Sequence, residues 1–408
     1  MNNHYQCIEC NSRYETSSMM YRCANCNDLL EVKYDYETLT PIDTNVWKSR
    51  DFSVWRYREL LPMNPTSRII SLGEGGTGLH RSEHLADDLN VKSLSVKFEG
   101  ENPTGSFKDR GMTVSISKAI ELHAKMVACA STGNTSASLA AYAAKAGLRS
   151  IVLVPAARIA QGKLAQAVVH GATILEIDGN FDDSLRSVIE LTERNPSIAL
   201  LNSVNPFRIE GQKTLAFEVC DQLKFKSPDV LIVPVGNAGN ISSIWKGFNE
   251  LRRVGVIDAT PRLVGVQAEG AAPLASAYKL KSDTIQPVKN PETIATAIRI
   301  GAPASWKKAL RAITESGGTM ETASDREILQ AQKDLARREG IFAEPAGASS
   351  IVGLKKLLEE GYVERGEEIV CVATGHGLKD AEIVTRIGEK PTRTGPEVEN
   401  IERILGLR

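Results

Sequence analysis

Over roughly the first 90 positions, apolar and polar residues follow no sustained period. Beyond them the chain settles into a cycle of short apolar runs and longer amphipathic or alanine-rich stretches. Short runs bounded by Gly, Asn and Pro read as strands, and the longer stretches as helices. The pattern predicts strands at Ser93–Phe98, Met126–Ala130, Ser150–Val154, Ala172–Ile177, Ile198–Leu201, Val230–Val235, Leu263–Val266 and Glu368–Ala373. It predicts helices over Phe107–Leu122, Thr135–Ala146, Leu164–Val169 and Asp182–Arg194, and one opening near Ile241. Gly147 stands where a helix C-terminus needs a left-handed residue. Apolar strands alternating with helices imply parallel sheets covered on both faces.

Three stretches lie outside this cycle. Residues 1–35 are a cysteine-rich head. Residues 36–70, with Pro41, Pro62, Pro65, Trp47 and Trp55, read as a connecting arm packed on the body. Residues 391–408 are charged and read as a surface tail with a short helix.

Composition changes this picture little. The 408 residues are 42% hydrophobic and 24% charged, in the globular range. The balance of 49 basic and 50 acidic residues gives a net charge of −1, which provides no general field for a nucleic-acid partner. The N-terminus lacks the basic and apolar blocks of a secretory signal, and no run approaches the roughly 18 apolar residues of a membrane span. The expectation is a soluble cytoplasmic protein with no membrane partner.

Four of the seven cysteines fall in the head as two C-x-x-C knuckles, Cys7/Cys10 and Cys23/Cys26, twelve residues apart. Two such turns can supply the four thiolates of a structural zinc site. Asn11 and Asn27 follow the second cysteine of each knuckle, and asparagine tolerates the left-handed backbone of a tight turn. The alternative is four free thiols in a metal-free head. Three bases against five acids over this segment argue against a nucleic-acid-binding ribbon.

The segment Asn102-Pro103-Thr104-Gly105-Ser106-Phe107-Lys108-Asp109-Arg110-Gly111 follows a strand and opens a helix. A lysine there sits beside the positive end of the helix, which favours a neutral, nucleophilic amine. Taken alone, such a stretch is usually a solvated helix start. Three loops of similar placement accompany it: Ser131-Thr132-Gly133-Asn134-Thr135, Gly236-Asn237-Ala238-Gly239-Asn240 and Ala373-Thr374-Gly375-His376-Gly377-Leu378-Lys379-Asp380. A small-residue loop at a helix start points backbone N–H groups at an anion, though a generic turn looks the same. No Gly-x-x-x-x-Gly-Lys-Ser/Thr is present, which argues against a nucleotide P-loop.

In this order, from about residue 70 to 385, the motifs resemble those of the tryptophan-synthase-β (fold-type II) class of pyridoxal-phosphate enzymes, and within it the threonine synthases. The resemblance implies pyridoxal 5′-phosphate carried on Lys108, its phosphate cradled by Gly236, Asn237, Ala238, Gly239 and Asn240. It places Asn134 at the ring hydroxyl and Thr374 at the ring nitrogen. It implies a second anion site on Ser131, Thr132, Thr135, Lys163, Asn202, Ser203 and Arg208, where hydroxyls, a lysine and an arginine suit a phosphate.

The fold class it implies is α/β: two doubly wound parallel or mixed sheet domains behind a small zinc ribbon. The large cofactor-binding domain would comprise 71–108 and 223–390, and the small domain 109–222. The implied activity is conversion of O-phosphohomoserine and water to L-threonine and phosphate, in a homodimer. Cysteate synthase, using O-phosphoserine and sulfite, and threonine dehydratase are alternatives within the class. A regulatory zinc-ribbon protein on a retired enzyme fold is the non-enzyme alternative; its signature would be a lost lysine or a broken loop, and both are intact.

Overall fold

The computed structural model describes residues 3–39, 41–156, 161–383 and 391–407, the side chains of 161–163 excepted. The head is a three-stranded antiparallel sheet of order β2-β1-β3, with β1 at Asn3–Cys7, β2 at Arg13–Glu15 and β3 at Leu30–Tyr34. Residues alternate along β3, burying Leu30, Val32 and Tyr34, so one face of the ribbon is core. Asn11 and Asn27 both have left-handed φ of 59°, as the knuckle turns demand.

The arm explains its own lack of periodicity. It is made of short turns that drop single aromatic residues into a shared core. Trp47, Tyr57 and Leu60 are buried with Tyr5 and Val32 of the head and with Phe217 and Phe248 of the body. Trp47 meets Tyr57 edge-on at 5.0 Å.

The body holds two sheets. The larger has order β12-β11-β10-β13-β5-β4, formed by β4 (Leu79–Arg81), β5 (Ser93–Phe98), β10 (Val230–Pro234), β11 (Arg262–Ala268), β12 (Thr319–Ala323) and β13 (Glu368–Ala373). All its pairings are parallel except β4 with β5. The smaller is fully parallel, order β8-β7-β6-β9, formed by β6 (Met126–Ala130), β7 (Arg149–Pro155), β8 (Thr173–Ile177) and β9 (Ile198–Leu200). Each predicted strand is present with ends shifted by two residues at most. The sequence pattern did not reveal β1, β2 and β3 of the head, nor β4 and β12, which are the edges of the larger sheet. β4, Leu-His-Arg, is largely exposed, and β12, Thr-Met-Glu-Thr-Ala, interleaves polar residues even though Met320, Glu321 and Ala323 are buried, so neither offers an apolar run.

Predicted helices appear as Lys108–Glu121, Asn134–Ala146, Gln161–Val169 and Phe181–Arg194, and the one expected near Ile241 opens at Gly239. Gly147 ends its helix with φ of 73°. The C-terminal helix Val398–Leu405 buries no residue, in line with a surface tail. Among the described residues no helix is long and apolar enough to cross a membrane.

Two features hold the elements around the cleft. The Lys108–Glu121 helix crosses the Pro206–Gln212 helix at Gly111 and Gly211. There a Cβ on Gly211 would stand 1.8 Å from the Arg110 carbonyl oxygen, so only glycine permits the approach. Beside the crossing lies a buried ionic network. Arg110 donates to Glu218 at 2.6 and 2.7 Å and to Glu99, and Lys97 donates to Glu218 at 2.9 Å. All four side chains are fully buried. Burial alone would raise the Glu218 carboxyl, but Arg110 and Lys97 hold it down to about 2.

Candidate active site

The predicted site residues fall into loops at the C-terminal ends of parallel strands, where open α/β sheets bind ligands. Ser131–Thr135 follows β6, Asn202–Arg208 follows β9, Gly236–Asn240 follows β10, and Thr374 follows β13. Lys108 begins its helix after the turn that leaves β5. That turn is tied to the end of β13. The Phe107 amide donates to the Thr374 carbonyl at 3.1 Å, the His376 amide donates to the Gly105 carbonyl at 2.9 Å, and Ser106 bridges Gly375. The lysine segment and the Thr374 loop therefore move as one piece.

Lys108 is half-buried, with its Nζ over the Phe107 ring at 3.9 Å. Burial, with the charge of Arg208 nearby, brings its amine down to about 7, against the opposing pull of Glu344. At neutral pH a large share is the neutral nucleophile. Its neighbour Asp109 has another part. Burial raises its carboxyl to about 6, while it accepts from the Thr104 amide at 2.7 Å, the Thr104 hydroxyl at 2.6 Å and the Ser138 hydroxyl. It braces the turn.

Arg208 is also buried. Its Nη1 donates to the Leu201 carbonyl at 3.1 Å, and its Nε has no partner. Burial lowers it to about 10, with no carboxylate among the opposing causes. A buried guanidinium with an unpartnered Nε, close enough to act on a half-buried lysine, suits an anion.

The other residues divide by what they touch. In the Gly236–Asn240 loop, Ala238 takes a left-handed φ of 63° and the helix begins at Gly239. Both polar side-chain atoms of Asn240 are buried without partners. A Cβ on Gly236 would lie 3.0 Å from the Ile298 Cα, so this loop accepts only small residues there. Asn237 is a bridge: it donates to the Ser203 hydroxyl at 2.5 Å and accepts from the Ala304 amide at 2.6 Å. Asn202 is bound on both amide atoms to the Ala130 backbone, at 2.9 and 3.0 Å. Its side chain fixes the two loops together rather than pointing at solvent. Ser131, Thr132 and Thr135 line the half-buried start of the Asn134–Ala146 helix. Lys163 falls in the Gln161–Val169 helix with its side chain outside the described residues.

One central residue is absent from the sequence-based set. Glu344, buried, accepts from Asn134 Nδ2 at 3.0 Å and from the Thr374 hydroxyl at 3.2 Å. Burial raises its carboxyl, against the hydrogen bond from Asn134. It joins the two residues expected around the cofactor ring. In the sequence it is an acid before a proline that opens a helix, indistinguishable from an ordinary first-turn residue.

These features suit pyridoxal phosphate. The unpartnered atoms of Asn240 and the small-residue loop can take a phosphate, and a neutral lysine can take the aldehyde. In the head, the Sγ atoms of Cys7, Cys10, Cys23 and Cys26 lie within 4.8 Å of one another. Cys7–Cys26 is 3.4 Å and Cys10–Cys23 3.5 Å, near the roughly 3.8 Å between thiolates on a tetrahedral zinc. The Glu9 and Asn25 amides donate to Cys7 and Cys23, each at 3.4 Å, as thiolate ligands require. The cluster suits zinc.

Comparison with known proteins agrees. Residues 70–375 match the model of the pyridoxal-phosphate dependent enzyme family. The chain is 54% identical to the threonine synthase of Methanocaldococcus jannaschii over 98% of both chains, and 52% identical to that of Methanosarcina acetivorans over 99% of both. Among solved structures, processed threonine deaminase isoform 2 from Solanum lycopersicum shares the fold, with a TM-score of 0.64 at 23% identity, covering 77% of this chain and 88% of that one. A lysine at a helix start, a small-residue loop and near-full-length identity point one way, and the chain belongs to the pyridoxal-phosphate dependent enzymes, in the threonine synthase family.

Proposed function

We propose that the protein converts O-phosphohomoserine and water to L-threonine and phosphate. The observation that carries this reading is the pairing of Lys108 with Arg208. The charge of buried Arg208 acts on half-buried Lys108, and the arginine keeps an unpartnered Nε. A substrate carrying a phosphate ester supplies an anion for this guanidinium next to the reacting lysine. A plain amino acid offers its α-carboxylate but no second anion.

Lys108 would hold the cofactor and would take and return the protons at Cα and Cβ of the substrate. The Gly236–Asn240 loop would hold the cofactor phosphate. Bound pyridoxal phosphate supplies an electron sink, kept moderate by a hydroxyl rather than a carboxylate directly at the ring nitrogen. Thr374 would be that hydroxyl and Asn134 the partner of the ring oxygen, with Glu344 orienting both. Arg208, Ser131, Thr132, Thr135, Ser203 and Lys163 would bind the substrate phosphate and stabilise it as it leaves, with Asn202 fixing their loop. Water then adds at Cβ.

The four cysteines would hold zinc that folds the head. The reading keeps domain limits of 71–108 with 223–390, and 109–222; each sheet lies within one of them, and 384–390 lie outside the described residues. The reading includes a homodimer in the cytoplasm. Purified, cofactor-loaded protein given O-phosphohomoserine should release phosphate and threonine in equal amounts, with Lys108→Ala inactive. A yellow, cofactor-bearing protein that does not turn over would overturn the proposal and make O-phosphoserine with sulfite the next pair to assay.

A further inference from the structure

We infer that the cysteine head positions the anion site, so that its folded ribbon sets the affinity for the substrate phosphate. The inference rests on reading Asn202–Arg208 as part of that site. The head grips this segment at both ends. On one side the Leu200 amide donates to the Tyr21 hydroxyl at 2.8 Å. On the other, the Tyr34 hydroxyl donates to Glu210 Oε2 at 2.5 Å, on the helix that carries Arg208. Between these points the Tyr5 ring packs on Phe207 at 5.6 Å.

The Tyr34 link is buried and charged. Glu210 is also held by Lys213 at 2.5 Å and by Lys246, and Lys213 reaches Glu250 at 2.7 Å. Lys246 returns to the head through the Val32 carbonyl. A dry, fully connected polar network transmits position rather than absorbing it. Inside the gripped segment, the Leu201 carbonyl accepts from Arg208, and Ser203 is held by Asn237.

A second route runs from the knuckles themselves. Lys307 binds Glu9 at 2.7 Å and Asp28 at 2.6 Å. Its helix starts beside Ala304, whose amide donates to Asn237, and Asn237 donates to Ser203. Tyr21 lies two residues before Cys23, and Tyr5 two before Cys7. A metal that gathered the cysteines would therefore fix the groups that hold the anion segment. A head that only covered apolar surface would need the Tyr5 and Val32 contacts, but not two routes converging on Ser203 and Arg208.

The test uses full-length protein loaded with cofactor and zinc, with inorganic phosphate as the calorimetric probe. Tyr34→Phe and Tyr21→Phe remove one hydroxyl each and leave the rings in place. Each should weaken phosphate binding and raise KM for the phosphorylated substrate by roughly three- to tenfold, the scale of one hydrogen bond partly expressed at a neighbour. kcat, the cofactor's visible absorbance and zinc content should stay at parental values. Should Tyr34→Phe fail to fold, Tyr21→Phe decides alone. A lower Tm with unchanged KM and phosphate affinity overturns the inference and leaves the head a cap. A parent protein that binds no phosphate removes the anion site itself, and this coupling with it.

Discussion

Gly211→Ala tests the packing that brings Lys108 and Arg208 together. The new methyl would sit 1.8 Å from the Arg110 carbonyl oxygen, 2.6 Å from its carbon and 2.8 Å from the Gly111 Cα. All three are backbone atoms, so no rotamer relieves the clash and the helices must part by more than about 1 Å to restore van der Waals contact. Overpacking costs about 1–3 kcal/mol, and a backbone-on-backbone clash belongs at the upper end. Alanine regains about 1 kcal/mol of helix propensity. The net expectation is a loss of about 2 kcal/mol or more. Gly111→Ala is the internal control. Its methyl meets the Arg208 carbonyl oxygen at 2.7 Å and the Gln212 side-chain nitrogen at 2.9 Å, and the second of these can swing away. It should lose about 1 kcal/mol or less after the propensity gain. Urea midpoints of the cofactor-loaded proteins measure both. Lys108 and Arg208 each lie three residues from the crossing, so Gly211→Ala should also raise KM for the phosphorylated substrate. A Gly211→Ala midpoint within about 0.5 kcal/mol of the parent, or a worse Gly111→Ala, would refute the reasoning.

Three further outcomes follow from the same structure. Glu218→Ala strands the buried Arg110 and Lys97 charges and should cost about 3–5 kcal/mol, seen as a lower denaturation midpoint; a loss under about 1 kcal/mol would show that water reaches the network. Burial lowers Lys108 to about 7, so the unfolded chain binds more protons than the folded one between there and its ordinary value. The penalty is full below about 7 and fades as pH rises toward about 10.5. Lys108→Met should thus stabilise the cofactor-free protein at pH 7 and lose that advantage by pH 10, and an advantage independent of pH would count against the lowered amine. Cys10→Ser should lower zinc content by up to one equivalent per chain and open the first 35 residues to protease, whereas full zinc with an intact head would remove Cys10 from the ligand set.

Much of this site was legible in the chain because its parts are local. A strand, a turn of small or capping residues and a helix start form one continuous segment, and Lys108, Asn134, the Gly236–Asn240 loop and Thr374 each occupy such a segment. The cysteine knuckles are local in the same way. Apolar runs announced eight of the ten described strands of the body, and missed β4 and β12, whose short, polar-containing sequences offer no such run. What only the tertiary structure decided are the meetings between segments distant in sequence. Glu344 became central by facing Asn134 and Thr374, and Asn202 and Asn237 turned out to hold loops to each other. Trp47 and Tyr57 became core though no period marked them. The glycine contact of Gly111 with Gly211, and the tyrosines joining the head to the anion segment, belong to the same group. Periodicity and turn chemistry record how a residue relates to its near neighbours. They carry no record of which distant backbone will approach it, and that is set only when the sheets and helices bury their apolar faces together.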